Sequence, residues 1–468
     1  MTAGYPTMSK QLLAVDIGAG SGRIIRGCFE NNRLSLHEDA RFSNRLLKDA
    51  EGYTCWDFER LAGIVAEYLK KTEEGDSIGF DSFSPDFGIF DGDGKLCRPM
   101  LSYHNFFQAS FPEQILREYS ADELHDMIGN PANPLATVSQ MCHLQDRYEF
   151  ASDRSCTLLP MADALAFSVC GERFTDITYS FDTGLNDLNG AWDERLTHFL
   201  KAGSDILPRV LPCGETVAYS QRSSGKRTAV VNTALHDTAS AYHALRLLAD
   251  GQLCMNAGTW FSIGVSARDP ILTAESKRLG IENIALPEGF VHGYTFPGAW
   301  FLQAFQKEKD GLPFSEIAAA AQKEQGEFIS ADVSDISRYQ GPDGLIETIR
   351  RDMWNAGIRQ SGDFQVLRSL YEGLAEAAAQ AVVWIETVSH KRFREIYMSG
   401  GVTQDAFLCR LIGEKTGKRI VTCMREASVA GNLLLQLQAL RCTTGEDESR
   451  DILKNMKEQE KSNVTSEV

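Results

Sequence analysis

The chain has 468 residues and a formal net charge of −17, with 43% hydrophobic and 24% charged residues. This length exceeds what one hydrophobic core sustains, so two domains are expected; the composition excludes a mainly disordered chain, and the acidity excludes nucleic acid as the main partner, because phosphate backbones demand clustered Lys and Arg. The start MTAGYPTMSKQ carries no long apolar stretch, no run of eighteen apolar residues occurs, and the 11 cysteines form no C-x-x-C, so the expectation is a cytoplasmic protein with free thiols and no membrane partner.

In chain order, residues 11–15 (QLLAV) read as a short apolar strand ending at Asp16. The run Ile17-Gly18-Ala19-Gly20-Ser21-Gly22-Arg23 follows, and the Asn31-Asn32 pair reads as a tight turn between two further strands. The glycine-rich loop therefore joins strand to strand. A dinucleotide or Walker loop would open a helix, and the Gly-Lys-Ser/Thr ending is absent. Residues 78–83 read as a strand, and 87–90 with 95–97 as a hairpin turned by Asp91-Gly92-Asp93-Gly94. Helices are expected over 114–127, 136–149 and 159–169, the last ended by Gly171, with 192–207 mixed and helical.

Residues 229–232 form a short buried strand, after which Asp237 opens a helix to Ala249. A second strand pair spans 255–265 with Gly258-Thr259 at its turn. Helices over 299–307, 366–389, 406–416 and 430–440, with strands over 395–398 and 419–422, complete a second half. The two halves look related. From Thr443 the tail is charged, almost free of apolar residues, and expected to be frayed.

Five segments carry candidate chemistry. Small residues in 18–23 let backbone N–H groups approach phosphate oxygens, and a carboxylate such as Asp16 at the strand end can position hydrated Mg²⁺; a plain glycine-rich turn explains the same letters. Gly258-Thr259 offers an N–H and a hydroxyl to a phosphate, or is a simple hairpin turn. Asp237 is either an N-cap or a general base for a hydroxyl, with His236 and Thr238 beside it. Ser399-Gly400-Gly401 presents bare backbone to an adenine or ribose, or turns tightly. Phe83-Ser84-Pro85-Asp86 places polar groups among aromatics, as a sugar site or a strand-end turn.

In this order the segments VDIGAGSGR (15–23), HDTASA (236–241), GTWFS (258–262), GAWFLQ (298–303) and EASVAGN (426–432) resemble the FGGY carbohydrate kinases over about residues 10–440. The resemblance implies an α/β chain of two actin-like (ribonuclease H-like) ATPase domains with the active-site cleft between them. Residues 10–247 would form the sugar side with the first phosphate loop, 248–442 the nucleotide side, and 443–468 the tail. It implies ATP and Mg²⁺ as cofactors and a ketose as substrate, L-rhamnulose first among candidates, with Asp237 as proton acceptor. Ala19, Gly20, Ser21, Gly22, Arg23, Thr259, Gln303, Gly400 and Gly401 would contact ATP. Ser84, Asp86, His236, Thr238 and Thr295 would contact the sugar, and Asp16 would sit near the metal. A monomer or homodimer is expected.

The chain departs from the family pattern where the sugar would lie. Phe83-Ser84-Pro85-Asp86 replaces Trp-Gly-Val-Asp, Tyr103-His104-Asn105 replaces Tyr-Arg-Asp, and Thr295 stands in place of Asn. The changes admit another sugar (fuculose- or xylulose-like) or a non-catalytic sugar- or nucleotide-binding member.

Overall fold

The computed structural model describes residues 10–144, 156–199, 206–220, 226–341 and 343–466. Two six-stranded sheets organise it. The first contains β1 (Lys10–Ile17), β2 (Ser21–Glu30), β3 (Arg33–Ser43), β4 (Ser77–Ser82), β5 (Glu215–Tyr219) and β6 (Ala229–Asn232), in the order β5-β6-β4-β1-β2-β3. The second contains β7 (Leu253–Ala257), β8 (Trp260–Ala267), β9 (Glu282–Ala285), β10 (Phe290–Pro297), β11 (Glu395–Ser399) and β12 (Arg419–Thr422), in the order β9-β10-β8-β7-β11-β12.

Both sheets follow one plan. The opening strand pairs antiparallel with the next strand (β1 with β2, β7 with β8) and parallel with a later one on its other side (β1 with β4, β7 with β11). The parallel strands are buried on both faces, which is why QLLAVDI and SIGFDS read as near-continuous apolar runs closed by an acid. The turn from β2 to β3 is Asn31-Asn32, both with positive φ of 52° and 58°, as a two-residue hairpin requires.

The helices used below are α1 (Phe58–Leu69), α2 (Met161–Cys170), α3 (Asp237–Ala249), α4 (Ala299–Glu308), α5 (Asp363–Ser389), α6 (Ala406–Thr416), α7 (Ala427–Ala439) and α8 (Glu446–Ser466). Side chains alternate along β1. Leu13, Val15 and Ile17 face α1 and α2, while Leu12 and Ala14 face α3 and α7. Beneath the second sheet, Met255, Phe261 and Ile263 pack against Leu370 and Leu374 of α5. Helices α3 and α7 thus lie between the two lobes, in one apolar cluster that also takes Cys254 of the second sheet. They approach closely at Gly431, where a Cβ would stand 1.9 Å from the Ser240 carbonyl oxygen.

Several sequence expectations are corrected. The tail is not frayed: 446–466 form α8, and Ile452, Leu453 and Met456 are buried against the α3/α7 cluster. Three apolar residues at helical spacing suffice for one face, which a bulk count of apolar letters overlooks. The stretch 114–127 is two helices, Glu113–Glu118 and Ala121–Ile128, because Ser120 makes a capping box with Glu123 and restarts the chain. Phe87–Phe90 takes Thr157–Pro160 as its ladder partner, leaving one bridge, Phe90 to Leu96, of the expected hairpin. The helix expected over 136–149 is seen over Thr137–His143, and that over 192–207 over Glu194–Phe199; residues 145–155 and 200–205 lie outside the described residues. No described helix is long and apolar enough to cross a membrane.

Candidate active site

Three apolar strand segments end on acids that meet between the lobes. Asp16 closes β1 and is the register partner of Asp81 near the end of β4, while a bridge from Ser82 to His236 sets Asp237 just beyond. Asp16 and Asp81 are fully buried. Arg23 is Asp16's partner across the first hairpin and donates from Nε to Asp16 Oδ2 at 3.0 Å, while its Nη1 lies 2.5 Å from Glu426 Oε2 at the start of α7. Burial opposes the Arg23 charge, yet Asp16 and Glu426 outweigh it and hold the guanidinium above its usual pKa. Ser428 donates to Asp16 Oδ2, and Asn432 donates to Asp81 Oδ2 at 2.7 Å.

One oxygen on each of these acids, Asp16 Oδ1 and Asp81 Oδ1, is buried without a hydrogen-bond partner. Such atoms are rare, because a buried unpaired polar group costs about 1–3 kcal/mol. Burial and the neighbouring Asp16 charge push the Asp81 carboxyl well above the usual range. Hard, oxygen-seeking Mg²⁺ in its water shell fits the free Asp16 oxygen. No cluster of three or more metal-ligating side chains exists among the described residues.

Asp237 is not the N-cap of α3. That place belongs to His236, which makes no side-chain cap, and Asp237 is the first helical residue. Among the described residues its carboxylate receives only the Thr238 hydroxyl at 3.2 Å, with His236 Nε2 at 3.8 Å from Oδ1. Its side chain keeps 26% exposure, so the carboxylate is open to a hydroxyl from the cleft. The helix N-terminus favours its negative charge.

The glycine turn from β1 to β2 is closed by Gly18 N–H donating to the Ser21 carbonyl at 3.0 Å, and Asn44 Nδ2 donates to the Gly18 carbonyl at 3.2 Å. Gly20 is exposed at its tip, with nothing within 4 Å of where a Cβ would be. Ala19 and Ser21 flank it half-buried. Gly22 sits inside the ladder between Ile17 and Phe42, and a Cβ there would meet the Phe42 ring at 2.3 Å. Its bareness admits the Phe42 ring.

In the second lobe the β7–β8 turn holds the start of α4. The Gly258 carbonyl accepts from Ala299 N–H, and the Thr259 carbonyl from Gly298 and Trp300 N–H. Helix α4 carries Gln303 on its exposed face. Gly400, at φ 93°, presses on the Ala257 carbonyl, where a Cβ would stand at 2.5 Å, so the 400–401 turn lies beside the end of β7. Gly401 has open space where its side chain would be.

On the sugar side, Ser84 follows β4 and donates to Asp182 Oδ2. Thr295 donates to Glu282 Oε2 at 2.6 Å. Asp86 is a further correction: it is fully buried, accepting from Trp56 Nε1 at 2.7 Å, Tyr103 N–H at 2.8 Å and Gln140 Nε2 at 2.9 Å. It fixes an aromatic wall of Trp56, Phe83, Tyr103 and His104 instead of facing a ligand. Trp260 of the second lobe lies near the Tyr103 hydroxyl, whose pKa burial raises. Sequence reasoning missed Asp81 as part of this centre, while Trp260, Ser428 and Asn432 fall in the 258–262 and 426–432 segments it singled out. The signal for Asp81 was present: like QLLAV before Asp16, an apolar run leads straight to it.

The profile of the FGGY family of carbohydrate kinases, N-terminal domain, matches residues 11–243, and that of the C-terminal domain matches residues 253–440. A rhamnulokinase from Oceanobacillus iheyensis is 29% identical over 459 residues, covering 95% of this chain and 96% of the relative. Among solved structures, a gluconate kinase and a ligand-bound xylulose kinase, both from Lactobacillus acidophilus, superpose with TM-score 0.73 at 15% identity, covering 95% of this chain and 92% of theirs. The paired lobes, the acids gathered between them and the profiles over both halves agree: the chain belongs to the FGGY family of carbohydrate kinases and is a sugar kinase.

Proposed function

We propose that this kinase transfers the γ-phosphoryl group of ATP to the C1 hydroxyl of a ketose, with L-rhamnulose the first candidate and L-rhamnulose 1-phosphate its product. The observation that carries the reading is Asp237: a half-exposed carboxylate at the start of α3, relieved of capping, near enough to Asp81 and Tyr103 to raise the pKa of both. The curated rhamnulokinase that matches nearly the whole chain supports the choice of sugar.

In this reading Asp237 orients the C1 hydroxyl and accepts its proton as the O1–Pγ bond forms and the bond from Pγ to the β-phosphate oxygen breaks, releasing ADP. The 18–21 turn of one lobe and the 258–259 turn of the other grip the phosphates through backbone N–H groups and the Thr259 hydroxyl. Gly400, Gly401 and Gln303 lie on the nucleotide side, and Ser84, His236, Thr238 and Thr295 on the sugar side. Asp16 would hold Mg²⁺, which when bound neutralises phosphate charge. Closure of the lobes would keep water from the γ-phosphate.

A coupled assay over a panel of ketoses tests this. Turnover with L-rhamnulose is expected. Turnover only with xylulose or another sugar would reassign the substrate, and tight sugar or nucleotide binding without turnover would overturn the kinase chemistry.

A further inference from the structure

Two carboxylates outside the base and phosphate machinery stand on opposite lobes beside contacts that join them, Asp182 next to Phe181, which meets Phe290, and Glu282 next to Asn283, which donates to Asn130. Asp182 belongs to the first lobe and accepts from the Ser84 hydroxyl. Glu282 starts the edge strand β9 of the second lobe and accepts from the Thr295 hydroxyl. Each grips one of the positions at which this chain departs from the family's sugar-side pattern.

Both acids are half-buried, and no described Lys, Arg or His forms an ion pair with either. Burial, with the Asp182 charge adding to it, pushes the Glu282 carboxyl up to about 7, so the two acids sense one another across the gap. Their second oxygens, Asp182 Oδ1 and Glu282 Oε1, take no hydrogen bond from any described residue. Carboxylates on opposite lobes with spare acceptors and no cation call for a ligand rich in donors. A polyhydroxy chain supplies them, and hydrogen bonds to charged groups are the stronger kind.

The pair is joined to the reaction centre by contacts within and between the lobes. Beside the pair the lobes are stitched together by the Phe181–Phe290 ring contact at 5.2 Å and by Asn283 N–H donating to Asn130 Oδ1 at 2.7 Å. From Glu282, hydrogen bonds run through Thr295 Oγ1 to Ser262 Oγ at 3.2 Å, and Tyr242 of α3 donates to the same Ser262 oxygen at 3.0 Å. Helix α3 opens with Asp237, so the string starts at the base's own helix. At its far end, Ser84 lies three residues past Asp81.

We propose that Asp182 and Glu282 set sugar specificity by accepting hydrogen bonds from ketose hydroxyls, one from each lobe. This rests on the ketose kinase reading given above. A site built around a substrate hydroxyl rejects the analogue lacking it far more strongly than an apolar pocket discriminates size, since buried polar groups are then left unpaired.

The test uses the full chain, Asp182→Asn and Glu282→Gln, and single-deoxy analogues of whichever ketose the unmodified enzyme turns over best. Each variant is expected to raise the ketose KM by about tenfold or more while the ATP KM stays within about threefold and kcat falls far less. Loss of one ketose hydroxyl should cost the unmodified enzyme about tenfold or more in kcat/KM, and the same loss should cost almost nothing in the variant that lacks its partner. A folded variant with unchanged ketose KM overturns the proposal. If both variants fail to fold, the analogue series on the unmodified enzyme decides, and indifference to every missing hydroxyl overturns it. Absence of turnover with any ketose instead sinks the ketose reading on which this rests, and ketose affinity by calorimetry then takes the place of KM in the same comparisons.

Discussion

Arg23 and Asp16 face each other across the first hairpin, with Arg23 Nη2 at 2.9 Å from Asp16 Oδ2 and the rest of the guanidinium turned to Glu426 from the far end of the chain. The pair joins the glycine turn between β1 and β2 to α7. Removing Arg23 would leave Asp16 buried beside Asp81 with no cation, and breaking a buried pair costs roughly 3–5 kcal/mol. Arg23 keeps 21% side-chain exposure, so the lower end applies. Arg23→Ala should lower unfolding free energy by about 2–3 kcal/mol in urea titrations and weaken ATP binding in calorimetry.

Asp237→Asn keeps the shape of the site and removes the proton acceptor. Turnover should fall by about 10²–10⁴-fold while ATP affinity stays within a few-fold. A coupled assay beside equilibrium ATP binding checks both, and near-normal turnover would refute the base assignment.

Asp86 ties stability to pH. Burial raises its carboxyl to about 7, against the three donors that favour the charge. The folded value lies above the unfolded one, so its contribution is fully present below the unfolded value near 4 and is lost as pH rises through 7. Over that window the loss is on the order of 4 kcal/mol, countered by groups that titrate the other way. Asp86→Asn should flatten the stability profile between pH 5 and 8 relative to the parent, measured by urea titration at each pH. Parallel profiles would contradict it.

Gly431→Ala places a methyl 1.9 Å from the Ser240 carbonyl oxygen. Backbone cannot yield as a side chain end can, and overpacking of this kind costs about 1–3 kcal/mol or more. The midpoint of denaturation should drop, and turnover should drop with it, because α3 carries Asp237 and α7 carries the groups that hold Asp16 and Asp81.

Much of this was legible from the letters. Strand–turn–strand around 18–23, the Asn-Asn turn, the Gly171 stop and the strand at 419–422 follow from local rules of turns and apolar runs, which act within a few residues. The choice between cap and base at Asp237 was not, because it depends on His236 taking the cap position, a matter of one residue in helix phase. Nor was the fate of Asp86. It read as a site residue by motif, but Trp56, Tyr103 and Gln140 surround it, contacts made from other elements of the lobe. The helical tail escaped notice for the same reason, since its three buried residues count only once the α3/α7 surface exists to receive them.

Helix α7 covers β1 and β4, although some 350 residues separate Asp81 from Asn432, which holds it. A ribosome would thus deliver the first sheet long before the piece that seals it. Until residues 427–439 emerge, Leu12 and Ala14 lack the α7 part of their cover and Gln436 cannot donate to the Leu13 carbonyl. The first lobe must therefore finish folding after the second has been made, and a nascent chain halted near residue 250 would offer chaperones an open apolar face.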